Sequence, residues 1–367
     1  MKNLTIAALV SMLPLIGLAQ NDFTTQWNNG YSMESADKNF KMKFGGRIQF
    51  DMAWLSQDDS LSAAFGNHVS GVEFRRVRLF NEGQIYHNVH YKLQLDFASG
   101  GATFKDVFIE LKYIPVVGNL RMGQFKEPFR LEVLTSSNYL TFMERPSIIA
   151  FMPERNFGAM IHNEMLGKRI GWQLGVFRNA DEAGNDQDAG EDYNFTGRAS
   201  WLLLNDAEHH RTMQIGVAYS SRSPKNGQYN ATSRPAAHLA PKYVSTGTIS
   251  DVSAMNLVNA EAVVIAGPLY VQSEYLTASA SAPGNPSFSG WYGQVSYFLT
   301  GEHKSLKSSY EGLDRVKPKQ NAGPTAGAWE VALRYGAINL NDGDVHGGQM
   351  SEWTFGVNWY LNPATRF

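Results

Sequence analysis

The chain has 367 residues, 43% of them hydrophobic and 12% aromatic, with no Cys and a formal net charge of −2. Lack of cysteine excludes a disulfide framework, thiolate metal sites and cysteine nucleophiles, and the near-neutral balance gives no global attraction to nucleic acid. A mean hydropathy of −0.30, with no apolar run of about 18 residues beyond the N-terminus, excludes helical membrane spans.

Lys2 precedes an apolar run from Leu4 to Leu18, and Gly17 and Ala19 stand at the small-residue positions of a cleavage site before Gln20. This pattern predicts a secretory signal over 1–19. A short periplasmic segment over 20–39 and one barrel domain over 40–367 are expected to follow. From Phe40 to Trp54 the apolar Phe40, Met42, Phe44, Ile48, Phe50, Met52 and Trp54 alternate with Lys41, Lys43, Arg47, Gln49 and Asp51. Strict period two predicts a strand, and one well beyond the usual globular length.

The same reading predicts further strands over 72–86, 89–98, 104–113, 119–126, 156–164, 169–178, 193–203, 211–222, 256–266, 268–279, 288–300, 328–338 and 350–361, about fourteen in all. A soluble sandwich would hide the apolar faces between shorter strands. Long strands with aromatic ends and charged opposite faces instead predict an all-β fold, a transmembrane antiparallel up-and-down β-barrel. Tight connections at His87-Asn88, Gly167-Lys168 and Gly267-Pro268 alternate with long ones over 55–71, 127–155, 179–192 and 223–255. The segment 301–327 is long yet falls on the tight-turn side.

The stretches VEFRRVRLFNEGQIY (72–86), YKLQLDFA (91–98), FKDVFIEL (104–111) and RMGQFKEPFRLEVLTSSNYLTFMERP (121–146) resemble the phosphate-selective porin O and P family. PERNFGAMI (153–161), YFLTGE (297–302), RVKPK (315–319), AWEVALRY (328–335) and WTFGVNWYLNP (353–363) extend the resemblance in the family's order. It implies a sixteen-stranded, homotrimeric porin in the outer membrane of a Gram-negative bacterium, passing anions such as phosphate or polyphosphate without a cofactor. It also implies that the loop after Lys126 folds inward as the constriction. In the family two more strands follow WYLNP, so the last hairpin is expected to be missing here. Pro363 cannot donate a ladder bond, and the final Phe367 is read as coincidental.

Anion selectivity then rests on placed cations rather than on the net charge, with Arg suited to bidentate contact and Lys to a point contact. Lys41, Lys43 and Arg47 share the wet face of the first strand. With Val77 and Leu79 toward lipid, Arg76 and Arg78 face the lumen and Arg75 is expected near a rim. Lys126 shares parity with Gln124, opposite Phe125, and Arg130 follows on the loop. Leu131, Val133, Leu134, Tyr139, Leu140, Phe142 and Met143 would be out of place on a solvated loop, so they are expected to pack inside the barrel. Lys317 and Lys319, beside Arg315, are expected to add cations at the periplasmic side if 301–327 folds inward. Inward carboxylates such as Asp96, Asp106, Glu110, Glu261, Glu274 and Glu330 are expected to hold some of these cations in place.

Acidic residues over 179–192 oppose anion access, which keeps a weakly selective diffusion porin as the alternative, and a barrel that does not conduct as another. No spaced nucleophile, base and orienter come together in the sequence, so an enzyme is not expected. No metal site is expected either.

Overall fold

Alternating side chains commit a strand to two environments at once, and the long strands here do so within one antiparallel sheet. The structure, a computed structural model, describes residues 23–151, 153–186, 192–322 and 327–367. The signal expected over 1–19 lies outside them. A short hairpin of β1 (Phe23–Trp27) and β2 (Tyr31–Ser35) precedes β3 (Phe40–Trp54), α1 (Asp59–Phe65), β4 (Ser70–Ile85), β5 (Val89–Asp96), β6 (Thr103–Ile114) and β7 (Gly118–Lys126). An inward loop, 127–154, carries α2 (Leu131–Leu134) and leads to β8 (Arg155–Met165), β9 (Ile170–Arg178), β10 (Asn194–Asp206) and β11 (Arg211–Arg222). A minor pair, β12 (Thr232–Ser233) with β13 (Val244–Ser245), sits in the next loop. Then come β14 (Ala254–Ala266), β15 (Leu269–Ser281), β16 (Ser287–Phe298), β17 (Ala328–Asp342), β18 (Val345–Asn362) and β19 (Thr365–Arg366).

The fourteen long strands that alternation predicts are all present, each paired with the next in sequence. β18 starts earlier than expected, because Gly343 at φ +54° makes a turn tight enough for Asp342 to pair with Val345. The outward face is apolar: Ile48, Phe50, Trp54, Leu79, Trp353 and Phe355 are all more than half exposed, as a lipid-facing surface requires.

Among the described residues no register joins β3 to β18. β3 meets β2 only over Lys41–Phe44, and β18 meets β19 near its end. Backbone groups left open to lipid are costly, and three chain segments cross this seam. At one end His238 Nδ1 lies 2.8 Å from Glu73 Oε1 of β4, while Ala236 N donates to Glu352 Oε2 of β18 at 2.7 Å. Midway, Gln49 Nε2 of β3 donates to Ser137 O and Asn358 Nδ2 of β18 to Thr141 O, both at 2.9 Å. At the tight-turn end Arg315 Nη1 donates to Asn29 Oδ1 and to Pro363 O, both at 2.8 Å. Pro363 lies in the turn after β18, and Phe367 exchanges backbone hydrogen bonds of 2.8 and 2.9 Å with Trp359.

Candidate functional site

The interior is divided into a filled half and an open half. In the filled half the loop 127–154 packs onto the inner faces of β11 and β14–β17. Leu131 joins Val263, Ile265 and Tyr270 in one cluster. Phe129, Ile148 and Phe151 join Leu257, Leu276 and Ile338 in another. Leu131, Val133, Leu140 and Phe142 are buried, as their apolar character demands, whereas Met143 is 56% exposed and departs from that expectation.

Carboxylates from the wall hold the start of α2, whose first amides lack partners within the helix. Glu261 Oε2 accepts from Leu131 N at 2.9 Å, and Glu274 Oε1 accepts from Glu132 N at 2.8 Å. Arg130 Nε donates to Glu274 Oε2 at 2.5 Å, and Arg198 pairs with Glu261. From the tight-turn end, 301–322 enters the same half. Leu313 packs beside Leu131, Leu313 N donates to Thr135 Oγ1 at 3.2 Å, and the buried Lys304 pairs with Glu330 at 2.9 Å.

The open half is a cavity of about 880 Å³ against the β3–β8 wall. Its lining holds sixteen Lys and Arg against seven Asp and Glu, a surplus of nine cations within a chain whose net charge is −2. Two β-bulges contribute to this surplus. Gln49 pairs with Arg76 but Phe50 pairs with Phe74, so Arg75 is an extra residue on β4. Leu93 pairs with Val107 but Leu95 pairs with Phe104, so two residues of β6, Lys105 and Asp106, oppose the single Gln94. A bulge breaks the alternation of faces, and Arg75, Arg76, Arg78 and Lys105 all line the cavity. Arg75 therefore sits in the lumen wall rather than at a rim.

The cations are held in different ways. Arg78 Nε donates to Asp96 Oδ2 at 2.7 Å, Arg155 Nε to Asp106 Oδ1 at 2.9 Å, and Arg121 Nη2 lies 2.5 Å from Glu110 Oε2. Arg75 and Arg76 share Glu144, at 2.5 and 3.6 Å. Burial pushes the Glu144 carboxyl up, but the Arg75 hydrogen bond and charge outweigh it and hold the group below its ordinary value. Lys126 Nζ donates to Val133 O and Thr135 O, and Arg145 to Glu132 O and Thr135 O, at the carbonyl end of α2. Lys43 and Lys105 make no ion pair among the described residues.

Of the residues singled out by sequence, Lys41, Lys43, Arg47, Arg75, Arg76, Arg78, Lys126 and Lys317 line this cavity. Arg130 does not. It is fully buried against Glu274 in the filled half. Lys319 does not line it either; its Nζ donates to Thr300 O at 3.3 Å. The expected phase of β7 is also reversed. Phe125 is buried with Met160 and Phe177 inside the barrel, while Lys126 reaches the cavity as the last residue of its strand, where the chain turns inward. Lys105 and Arg121, on the opposite phase by alternation, line the cavity too, as do Lys92, which shares the inward face of β5 with Asp96, and Lys307, which lies outside the strands.

An antiparallel membrane sheet with an apolar exterior and a charged, wet interior defines a porin of the Gram-negative outer membrane. Residues 42–367 match the family Phosphate-selective porin O and P, and the chain belongs to that family. Porin O of Pseudomonas aeruginosa is 26% identical over 391 residues, covering 94% of this chain and 85% of that protein. An uncharacterized protein of Caulobacter vibrioides is also 26% identical, over 93% of this chain and 69% of its own length. Among solved structures, an anion-selective porin from Comamonas acidovorans shares the fold with a TM-score of 0.53 at 12% identity, covering 88% of this chain and 85% of that one.

Proposed function

We propose that the protein is a passive channel for small anions, with phosphate or polyphosphate among its solutes. The surplus of nine cations lining the open half carries this reading. An anion passing such a wall meets a string of Arg and Lys, several already partnered by carboxylates. Binding is then shared among sites rather than concentrated in one, which suits release as well as entrance. The names of the relatives, an anion-selective porin and a family called phosphate-selective, support the same reading. Assembly as a homotrimer in outer-membrane lipid belongs to the proposal.

A weakly selective diffusion pore is the second reading, favoured by Asp181, Glu182 and Asp186 on the loop after β9. Reversal potentials across a planar bilayer in a potassium chloride gradient separate the two. A clear anion preference, with chloride current blocked by added phosphate, supports the proposal. Cation preference or no preference rejects it, and folded protein that inserts without conducting rejects both.

A further inference from the structure

The cationic wall also carries apolar rings. Phe80 of β4 and Phe108 of β6 line the cavity and are half-buried, and neither ring offers an inorganic anion a hydrogen-bond donor. Lys92 of β5 lies between the two, opposite Phe108 in register and with Nζ 5.2 Å from the Phe80 ring centre. Arg121 of β7 places its guanidinium 4.3 Å from the Phe108 ring centre. The wall thus runs ring, cation, ring, cation across four neighbouring strands. Gly45 makes room for the first ring, since a Cβ there would lie 2.5 Å from Phe80 Cζ.

The inserted segments repeat the pairing in the same cavity. Tyr139 of the inward loop has Lys307 and Arg315 at 5.7 and 5.6 Å from its ring centre. Cation–π attraction accounts for part of this arrangement, and Phe108 also leans on the buried Phe125. Phe80 belongs to no apolar cluster among the described residues. Its ring lines the lumen with the Lys92 ammonium 5.2 Å from its centre.

We propose that this stripe makes the channel prefer organic anions with a planar apolar body, aryl carboxylates above all, over small aliphatic or inorganic anions of equal charge. The proposal rests on the anion-channel reading above. The carboxylate would meet a lumen cation left without an ion pair, Lys43 or Lys105, while the aryl ring lies against Phe80 or Phe108. A cavity of about 880 Å³ falls within the range of roughly 300–1,000 Å³ typical of small-molecule sites.

The test compares potassium benzoate with potassium acetate as blockers of chloride current in planar bilayers, for the wild type and for F80L/F108L. The two anions share charge and head group, and leucine keeps apolar bulk without the aromatic face. Benzoate is expected to block at about fivefold lower concentration than acetate in the wild type, the increment of one aromatic contact. That ratio should fall close to one in F80L/F108L while the chloride reversal potential stays put. Should the double variant fail to insert, F80L alone reads the same ratio. Equal block by both anions in a wild-type channel that remains anion-selective overturns this inference and leaves the channel reading standing. A ratio that survives the substitutions overturns the role of the rings. Loss of anion selectivity in the wild type itself removes the channel reading, and this inference with it.

Discussion

Arg47 of β3 and Arg78 of β4 are direct cross-strand neighbours, two like charges where a sheet ordinarily gains from opposite ones. Among the described residues Arg78 has a carboxylate partner, Asp96, and Arg47 has none; Arg47 donates to Ser137 Oγ at 2.7 Å. Arg47→Gln should therefore lower the anion-to-cation permeability ratio and weaken phosphate block, with little change in stability because a repulsion is relieved. Arg78→Gln should lower selectivity as well, and in addition cost on the order of 3 kcal/mol, since it leaves a buried Asp96 without its partner. Reversal potentials and urea unfolding in lipid vesicles measure the two effects separately. Equal stability loss in both variants would contradict this assignment.

The bulge on β4 makes a second prediction, about deletion rather than substitution. Arg75 is the extra residue between Phe74 and Arg76. Removing it leaves Phe74 outward and Arg76 inward, so the strand can close up as a regular ladder. Removing Arg78, which stands in regular register opposite Arg47, shifts every residue on one side of it to the wrong face. Deletion of Arg75 should give a folded, heat-modifiable barrel on gels with reduced anion preference, and deletion of Arg78 should not fold. Failure of both deletions would mean that the bulge is needed for the curvature of the wall.

Period two explains both what was legible in advance and what was not. It reports the environment of a face, so β3 can be read residue by residue, and it sets Lys41, Lys43, Arg47, Arg76 and Arg78 on the face that lines the cavity. A bulge changes phase by one residue without changing composition, so Arg75 and Lys105 could not be assigned by alternation. β7 misled for a different reason. Phe125 is apolar because it faces the packed interior cluster with Phe177 and Met160, and an inward apolar residue resembles a lipid-facing one. Arg130 has the chemistry of an anion ligand, but only the tertiary contact with Glu274 shows it to be a tether for the loop.

Glu132 makes a prediction about pH. Burial and the nearby Glu274 carboxylate raise its pKa above the ordinary 4.5. A carboxyl with a raised folded pKa binds its proton more tightly in the folded state, so its contribution to stability is most favourable below the unfolded value. It declines as pH rises through the interval up to the folded value. Glu132→Gln removes that penalty, and the amide oxygen can still accept from Gln272 Nε2, which lies 3.1 Å from Glu132 Oε2. The variant should therefore match the wild type near pH 4 and become more heat-stable than it as pH rises above that, followed by circular dichroism in detergent. A stability gap that does not change with pH would show that Glu132 is held ionised by its surroundings.

Arg130 and Glu274 are both fully buried, and the pair also serves α2, because Glu274 Oε1 accepts from Glu132 N. Arg130→Met should cost about 3–5 kcal/mol, as expected when one member of a buried pair is removed. Replacing both by methionine removes the stranded charge and should recover part of that loss. Recovery should be incomplete, because the amide of Glu132 then lacks its acceptor, a deficit of about 1–3 kcal/mol. Ion selectivity should hold in every variant that folds, since neither residue lines the open cavity. A double-mutant cycle on unfolding in lipid vesicles, with reversal potentials recorded alongside, tests both statements. A clear loss of anion preference in Arg130→Met at full stability would return Arg130 to the solute path.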